Sequence, residues 1–153
     1  MNVDALIGRY YPILIPLFWI LISTGVAALS GWKTLAEAYP PFSEPSGEKL
    51  RFQSASLRWS SNYTGIIHMS ASHQGLALSV FALFRPGHAP MLIPWGDIRA
   101  EVRGGLIPSV MLRFARKPKV PFIIGKALGE RLAGMSGGQL IVTSFGLSNM
   151  GNR

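Results

Sequence analysis

The chain is 153 residues long, contains no cysteine and is only 14% charged, well below the roughly 25% of an ordinary soluble domain. This excludes a disulfide scaffold and a thiolate metal centre and leaves little carboxylate for acid–base catalysis; with a mean hydropathy of +0.29 it also places part of the chain in lipid. The formal net charge is +8, and from Arg85 onward ten basic residues stand against three acidic ones.

Residues 1–9 read as a short tail. From Tyr10 to Trp32 there is no charge, and at about 1.5 Å per residue a helix of this length reaches across a hydrocarbon core of roughly 30 Å. Tyr10, Tyr11 and Trp32 stand where interfacial aromatics do. Pro12 suits the first turn, whereas Pro16 predicts a bend. A cleaved signal peptide is the rival reading, with Ile13 to Val26 as its apolar region and VAA as its cleavage site. A single preceding cation, Arg9, and an apolar run that continues past the cut favour a retained anchor. Lys33, Lys49, Arg51 and Arg58 follow the span, so the positive-inside bias makes this a single-pass protein with its C-terminal domain in the cytoplasm. Ser23, Ala27 and Gly31 recur every four residues, a spacing that lets membrane helices pack closely, in a homo-oligomer or against a membrane protein partner.

Residues 33–49 form a connector. In GWKTLAEAY, Trp32, Leu35, Ala36 and Tyr39 fall at helical spacings, which predicts a short helix on the membrane surface or docked on the next domain. Pro40 to Lys49 then interrupts regular structure and marks a domain boundary. Residues 50–135 read as strands. RFQSASLRW alternates, with Gln53, Ala55, Leu57 and Trp59 on one face. IIHMSA and LALSVFALF follow, and MLIPW is an edge or bulged strand because Pro94 cannot donate to a ladder. DIRAEVRG places Ile98, Ala100 and Val102 inward, and SVMLRFA and VPFII are joined by the basic turn RKPK. Seven antiparallel strands indicate a small barrel or sandwich. GKALGERLAGM changes period, with Leu128, Leu132 and Met135 forming one helical stripe weakened by Gly129. Residues 136–153 remain as a tail, in which QLIVTSF is an eighth strand, a partner contact or a mobile apolar segment.

Seven strands and a C-terminal helix resemble the pleckstrin-homology-like fold, a partly open barrel closed at one end by such a helix. QGLALSVFALF is similar to that family's strand preceded by glycine, and MLIPWGDI is similar to the strand, Trp and acidic residue of its bacterial and GRAM-type members. The whole resembles small bacterial proteins with one membrane span and a cytoplasmic domain of this type. Phosphoinositide-binding members gather cations at the first hairpin, but here WSSNYTG has only Arg58 close by.

FRPGHAP, at first sight a reactive stretch, reads as architecture. Phe84 and Trp95 pack in or rim the barrel, Pro86 and Gly87 turn the chain, and Asp97 accepts local backbone hydrogen bonds. His68, His73 and His88 lack metal-ligand spacing, and no nucleophile elbow or phosphate loop occurs, so no catalytic residue, metal or cofactor is expected. Arg113, Arg116, Lys117 and Lys119 cluster at one hairpin, where several cations can meet anionic lipid headgroups together. Nucleic acid fits less well, because exposed aromatics do not interleave with these cations. The expected function is a non-enzymatic membrane-anchored binding or scaffolding module, with a small accessory subunit of a larger membrane complex as the alternative.

Overall fold

The computed structural model describes residues 2–41, 47–58 and 61–144. The first helix, α1 (Val3–Ser30), runs through both Pro12 and Pro16 and begins earlier than the uncharged run, absorbing most of the expected tail. Among the described residues it is the one helix long and apolar enough to cross a membrane. It ends at Gly31, whose φ of 91° is left-handed and whose missing Cβ would lie 2.8 Å from Val120 Cγ1. Glycine is therefore required there twice over, by conformation and by space.

Helix α2 (Trp32–Ala38) follows immediately. Its expected stripe of Trp32, Leu35 and Ala36, together with Tyr39, is buried in the core, so this helix docks on the domain.

The domain is a curled mixed sheet, a half-barrel of eight strands in the order β4-β3-β2-β1-β7-β6-β5-β8. Strands β1 (Glu48–Ser56), β2 (Asn62–Ala71), β3 (Leu76–Val80) and β4 (Met91–Ile93) form one antiparallel meander, and β5 (Ile98–Arg103), β6 (Ser109–Phe114) and β7 (Phe122–Gly125) form another. The two halves meet where Ser56 pairs with Ile123. Helix α3 (Lys126–Met135) follows β7 and lies close on β6, where a Cβ on Gly129 would sit 2.7 Å from Val110 Cγ2. The glycine that lowers helix propensity thus permits the close approach that buries Leu132.

Three expectations need correction. The strand count is eight rather than seven and the sheet is mixed, because β8 (Val142–Ser144) pairs parallel with β5, Ala100 opposite Val142. The sheet accordingly runs from Glu48 to Ser144, past 50–135 at both ends, and residues 145–153 lie outside the described residues. In β1 the alternation is broken at Phe52, whose φ of 56° marks a bulge. Leu50 faces inward before it, Ala55 and Leu57 after it, and Gln53 is only half-buried. Trp59, expected on that inner face, lies outside the described residues. LALSVFALF ends as a strand at Val80 and turns through a short 3-10 helix at Ala82–Phe84. Pro94 follows β4, which is indeed an edge strand, and the backbone N–H of Leu92 donates to the Tyr39 carbonyl, so the connector covers part of that edge.

Candidate functional site

The face of the domain that meets α1 is built from three pieces: the loop 81–90 between β3 and β4, helix α2, and the turn 115–121 between β6 and β7. The loop lies along the last three turns of α1. Trp19 Nε1 donates to the Leu83 carbonyl at 2.9 Å, and its ring stacks at a tilt on Phe84 with centroids 5.3 Å apart. Ser23 Oγ lies 2.8 Å from the Pro86 carbonyl and 3.2 Å from that of Phe84, sharing its proton between them. Within the loop, the N–H groups of Phe84, Arg85 and His88 reach the carbonyls of Phe81, Ala82 and Arg85. The carbonyls of Leu83, Phe84 and Pro86 thus find their partners on α1. Gly87, at φ 77°, brings the loop so close that a Cβ would lie 2.7 Å from Thr24 Cα.

Behind the loop is a buried polar chain. His88 Nδ1 lies 3.2 Å from the Pro86 carbonyl and must carry the proton, so Nε2 accepts from the Tyr63 hydroxyl at 3.0 Å. Tyr63 in turn accepts from Ser30 Oγ at 2.7 Å. Trp32 packs edge-on against His88 and donates from Nε1 to the Ala89 carbonyl. Burial pushes the His88 imidazole below its ordinary value of 6.5, against the opposing pull of the Pro86 and Phe84 carbonyls. Burial likewise raises the Tyr63 phenol above 10.0, with the Ser30 hydrogen bond opposing it. The network joins α1, β2 and the loop, a convergence that sequence spacing alone does not reveal.

The expected site residues divide. Ser23, Ala27 and Gly31 form a buried stripe, but what it packs on is this chain's own domain: Ser23 on the loop, Ala27 beside Gly87, Gly31 under Val120. All four cations are exposed, Arg113 opposite Arg99 on the sheet. Arg116 is structural. Its Nε lies 3.4 Å from Asp97 Oδ2, its Nη1 donates to the Ala38 carbonyl at 2.7 Å, and its guanidinium covers the Tyr39 ring at 4.8 Å. Asp97, expected to accept local backbone hydrogen bonds, instead answers a side chain across the fold; its main chain donates to the Pro94 carbonyl and accepts from the Ala115 N–H. Burial raises the Tyr39 phenol, partly offset by the hydrogen bond it accepts from the Arg116 N–H. Trp95 is a core residue whose Nε1 donates to the Ser72 carbonyl at 2.7 Å.

The histidines do not converge. His88 is in the buried chain, His73 in the β2–β3 turn, and His68 on the outer face of the sheet between Phe52 and Phe81. Among the described residues no three His, Cys, Asp or Glu side chains are placed to hold a metal ion.

The outer face of β1–β4 carries a feature that spacing missed, a groove of about 750 Å³ running from β1 to the loop. Its cationic members are Lys49, Arg51 and Arg85, all exposed and, among the described residues, without an ion pair. Lys49 and Arg51 are far from Arg85 in sequence, and the bulge at Phe52 sets their facing, so neither alternation nor charge clustering marks them. No family model matches the chain, and no curated protein matches it.

Proposed function

We propose that this chain is a non-enzymatic, single-pass membrane-anchored binding and scaffolding module of pleckstrin-homology-like type, with α1 in the bilayer and the domain in the cytoplasm. The observation that carries the reading is the rigid docking of α1. Its last turns belong to the core of the domain through Ser23, Ala27 and Ser30, so the turn 115–121 is held beside the end of the helix, where Val120 meets Gly31. A span of about 20 residues suffices for roughly 30 Å of hydrocarbon, and α1 has 28. The residues Val3–Ile22 ahead of the packed end therefore make the crossing, with Asp4 and Arg9 at their outer end, while Ser23–Ser30 belongs to the domain. Cleavage at VAA would remove Ser23 and Ala27 from the packed interior, which supports a retained anchor. The pleckstrin-homology-like assignment draws support from the curled half-barrel and from a helix directly after the seventh strand.

Lys117 and Lys119 then face anionic headgroups, each adding about 1 kcal/mol of attraction near the surface. Because the chain has no cysteine, a probe attached through Pro118→Cys reports from a single position. In vesicles containing brominated phosphatidylglycerol it should be quenched strongly, and Lys117→Gln/Lys119→Gln or half-molar salt should reduce the quenching several-fold. Unchanged quenching would remove the hairpin from the membrane surface. Arg116→Gln should instead lower stability through the Asp97, Ala38 and Tyr39 contacts. In intact cells, a membrane-impermeant thiol reagent should leave the same cysteine unmodified; rapid modification reverses the orientation.

A specific observation favours the second reading, an accessory subunit. Leu106 and Ile107, at the tip between β5 and β6, are 105% and 83% exposed, an unusual position for two adjacent aliphatic side chains. Gentle extraction of the tagged chain should bring down a stoichiometric membrane partner on this reading and none on the first.

A further inference from the structure

The groove on the outer face of β1–β4 combines three properties that the anchoring role leaves unused. Its inner lining is apolar or small, including Ala77, Ser79 and Phe81. Lys49, Arg51 and Arg85 line it as well, free of carboxylate partners among the described residues. His68 also lines it, with a buried Nε2 that meets no hydrogen-bonding partner among the described residues. At its loop end the groove is flanked by exposed apolar side chains, Phe81 at 42% and Leu83 at 58%, and the Leu83 carbonyl is capped by Trp19 of α1.

A groove that carries cations on an apolar lining beside a membrane helix offers an anionic phospholipid both a partner for its phosphate and cover for its first acyl carbons. Helix α1 fixes the loop end of the groove beside itself, since the carbonyls of Leu83, Phe84 and Pro86 are met by Trp19 and Ser23.

We propose that this groove holds one anionic phospholipid, its phosphate between Arg51 and Arg85 with Lys49 and His68 within the same lining, and its first acyl carbons against Phe81 and the exposed side of the loop. The proposal rests on α1 being a membrane span and assigns the lipid a site separate from the Lys117–Lys119 turn. Arginine suits the role because its planar fork donates two parallel hydrogen bonds to phosphate oxygens.

The test uses the full chain in a neutral detergent, titrated with phosphatidylglycerol or phosphatidylcholine and read by native mass spectrometry. One phosphatidylglycerol should be retained at concentrations about tenfold lower than phosphatidylcholine. Arg51→Gln/Arg85→Gln should abolish that preference, and Ser79→Phe, which fills the groove without changing charge, should reduce retention of either lipid. Lys117→Gln/Lys119→Gln should leave the preference intact. Glycerol 3-phosphate should fail to displace the lipid; displacement at equal concentration would make this a soluble-phosphate site and overturn the proposal. Equal retention of the two lipids, or an unaltered preference in Arg51→Gln/Arg85→Gln, overturns it as well. Alkaline carbonate extraction of native membranes separates the two levels of inference. A chain released by carbonate overturns the anchor and the groove together, whereas a chain that stays in the membrane without lipid preference overturns the groove alone.

Discussion

Gly87→Ala is expected to loosen α1 from the β domain, while Gly65→Ala is not. Both glycines are left-handed, at φ 77° and 67°, so both substitutions carry backbone strain of about 1–3 kcal/mol. Only at Gly87 does the added Cβ meet anything: Thr24 Cα at 2.7 Å and Ala27 Cβ at 3.2 Å, whereas at Gly65 nothing lies within 4 Å. Backbone on one side and a packed methyl on the other leave little room to yield, and overpacking of this kind adds about another 1–3 kcal/mol. The difference between the two variants therefore measures the docking itself. Thermal unfolding of the full chain in detergent should show Gly87→Ala several degrees below Gly65→Ala, with faster proteolysis between α1 and β1. Equal midpoints and equal proteolysis would mean that the loop–helix contact contributes nothing to the fold.

Acid should weaken the same junction. In the folded chain His88 is held neutral, its pKa lowered by burial, while in the unfolded chain it titrates near 6.5. Below pH 6.5 the unfolded state binds more protons, so stability falls as pH drops from about 6.5 toward the depressed folded pKa, by up to about 1.4 kcal/mol per pH unit, and is independent of this group above about pH 7.5. Geometry points the same way. A proton on Nε2 would face the Tyr63 oxygen, which already accepts from Ser30, and would leave the Tyr63 hydroxyl hydrogen without its acceptor. Thermal midpoints measured between pH 7.5 and 5 should decline in the native chain and flatten in His88→Gln. A decline that survives in His88→Gln would assign the acid sensitivity to another group. Tyr63→Phe leaves the buried His88 Nε2 without its donor, while Ser30 Oγ keeps the Ala27 carbonyl and the Trp32 N–H, and should cost about 1–3 kcal/mol at neutral pH.

Much of the architecture was readable from local pattern. The uncharged run gave the long helix, the spacing of Trp32, Leu35, Ala36 and Tyr39 gave α2 and its buried face, and the alternation from Ile98 to Val102 gave β5 with its facing. These succeed because period and burial coincide within one element. What failed were features set by contact between distant segments. The bulge at Phe52 reverses the facing of β1 and depends on the register with β2, and β8 becomes a strand because β5 offers it an open edge. Arg116 reads as one cation among four until the fold brings Asp97, Ala38 and Tyr39 around it. The stripe of Ser23, Ala27 and Gly31 was legible as a close-packing surface, but its partner was not, since small residues admit a membrane helix and a loop equally. The groove joins β1 to the loop across the sheet, and no single stretch of sequence carries its signature.

The junction at Gly31 joins the two helices without a spacer, and this has a consequence for how the domain meets other molecules. A module on a flexible tether sweeps a volume, and each encounter loses the rotational freedom of the tethered body. Here that freedom is already surrendered on folding. With α1 in the bilayer, as proposed above, the domain moves as a carved relief on a two-dimensional sheet, with its height and tilt set by α1, so a partner lying in the same membrane meets it pre-aligned, while one held farther from the bilayer than the domain's own depth is out of reach.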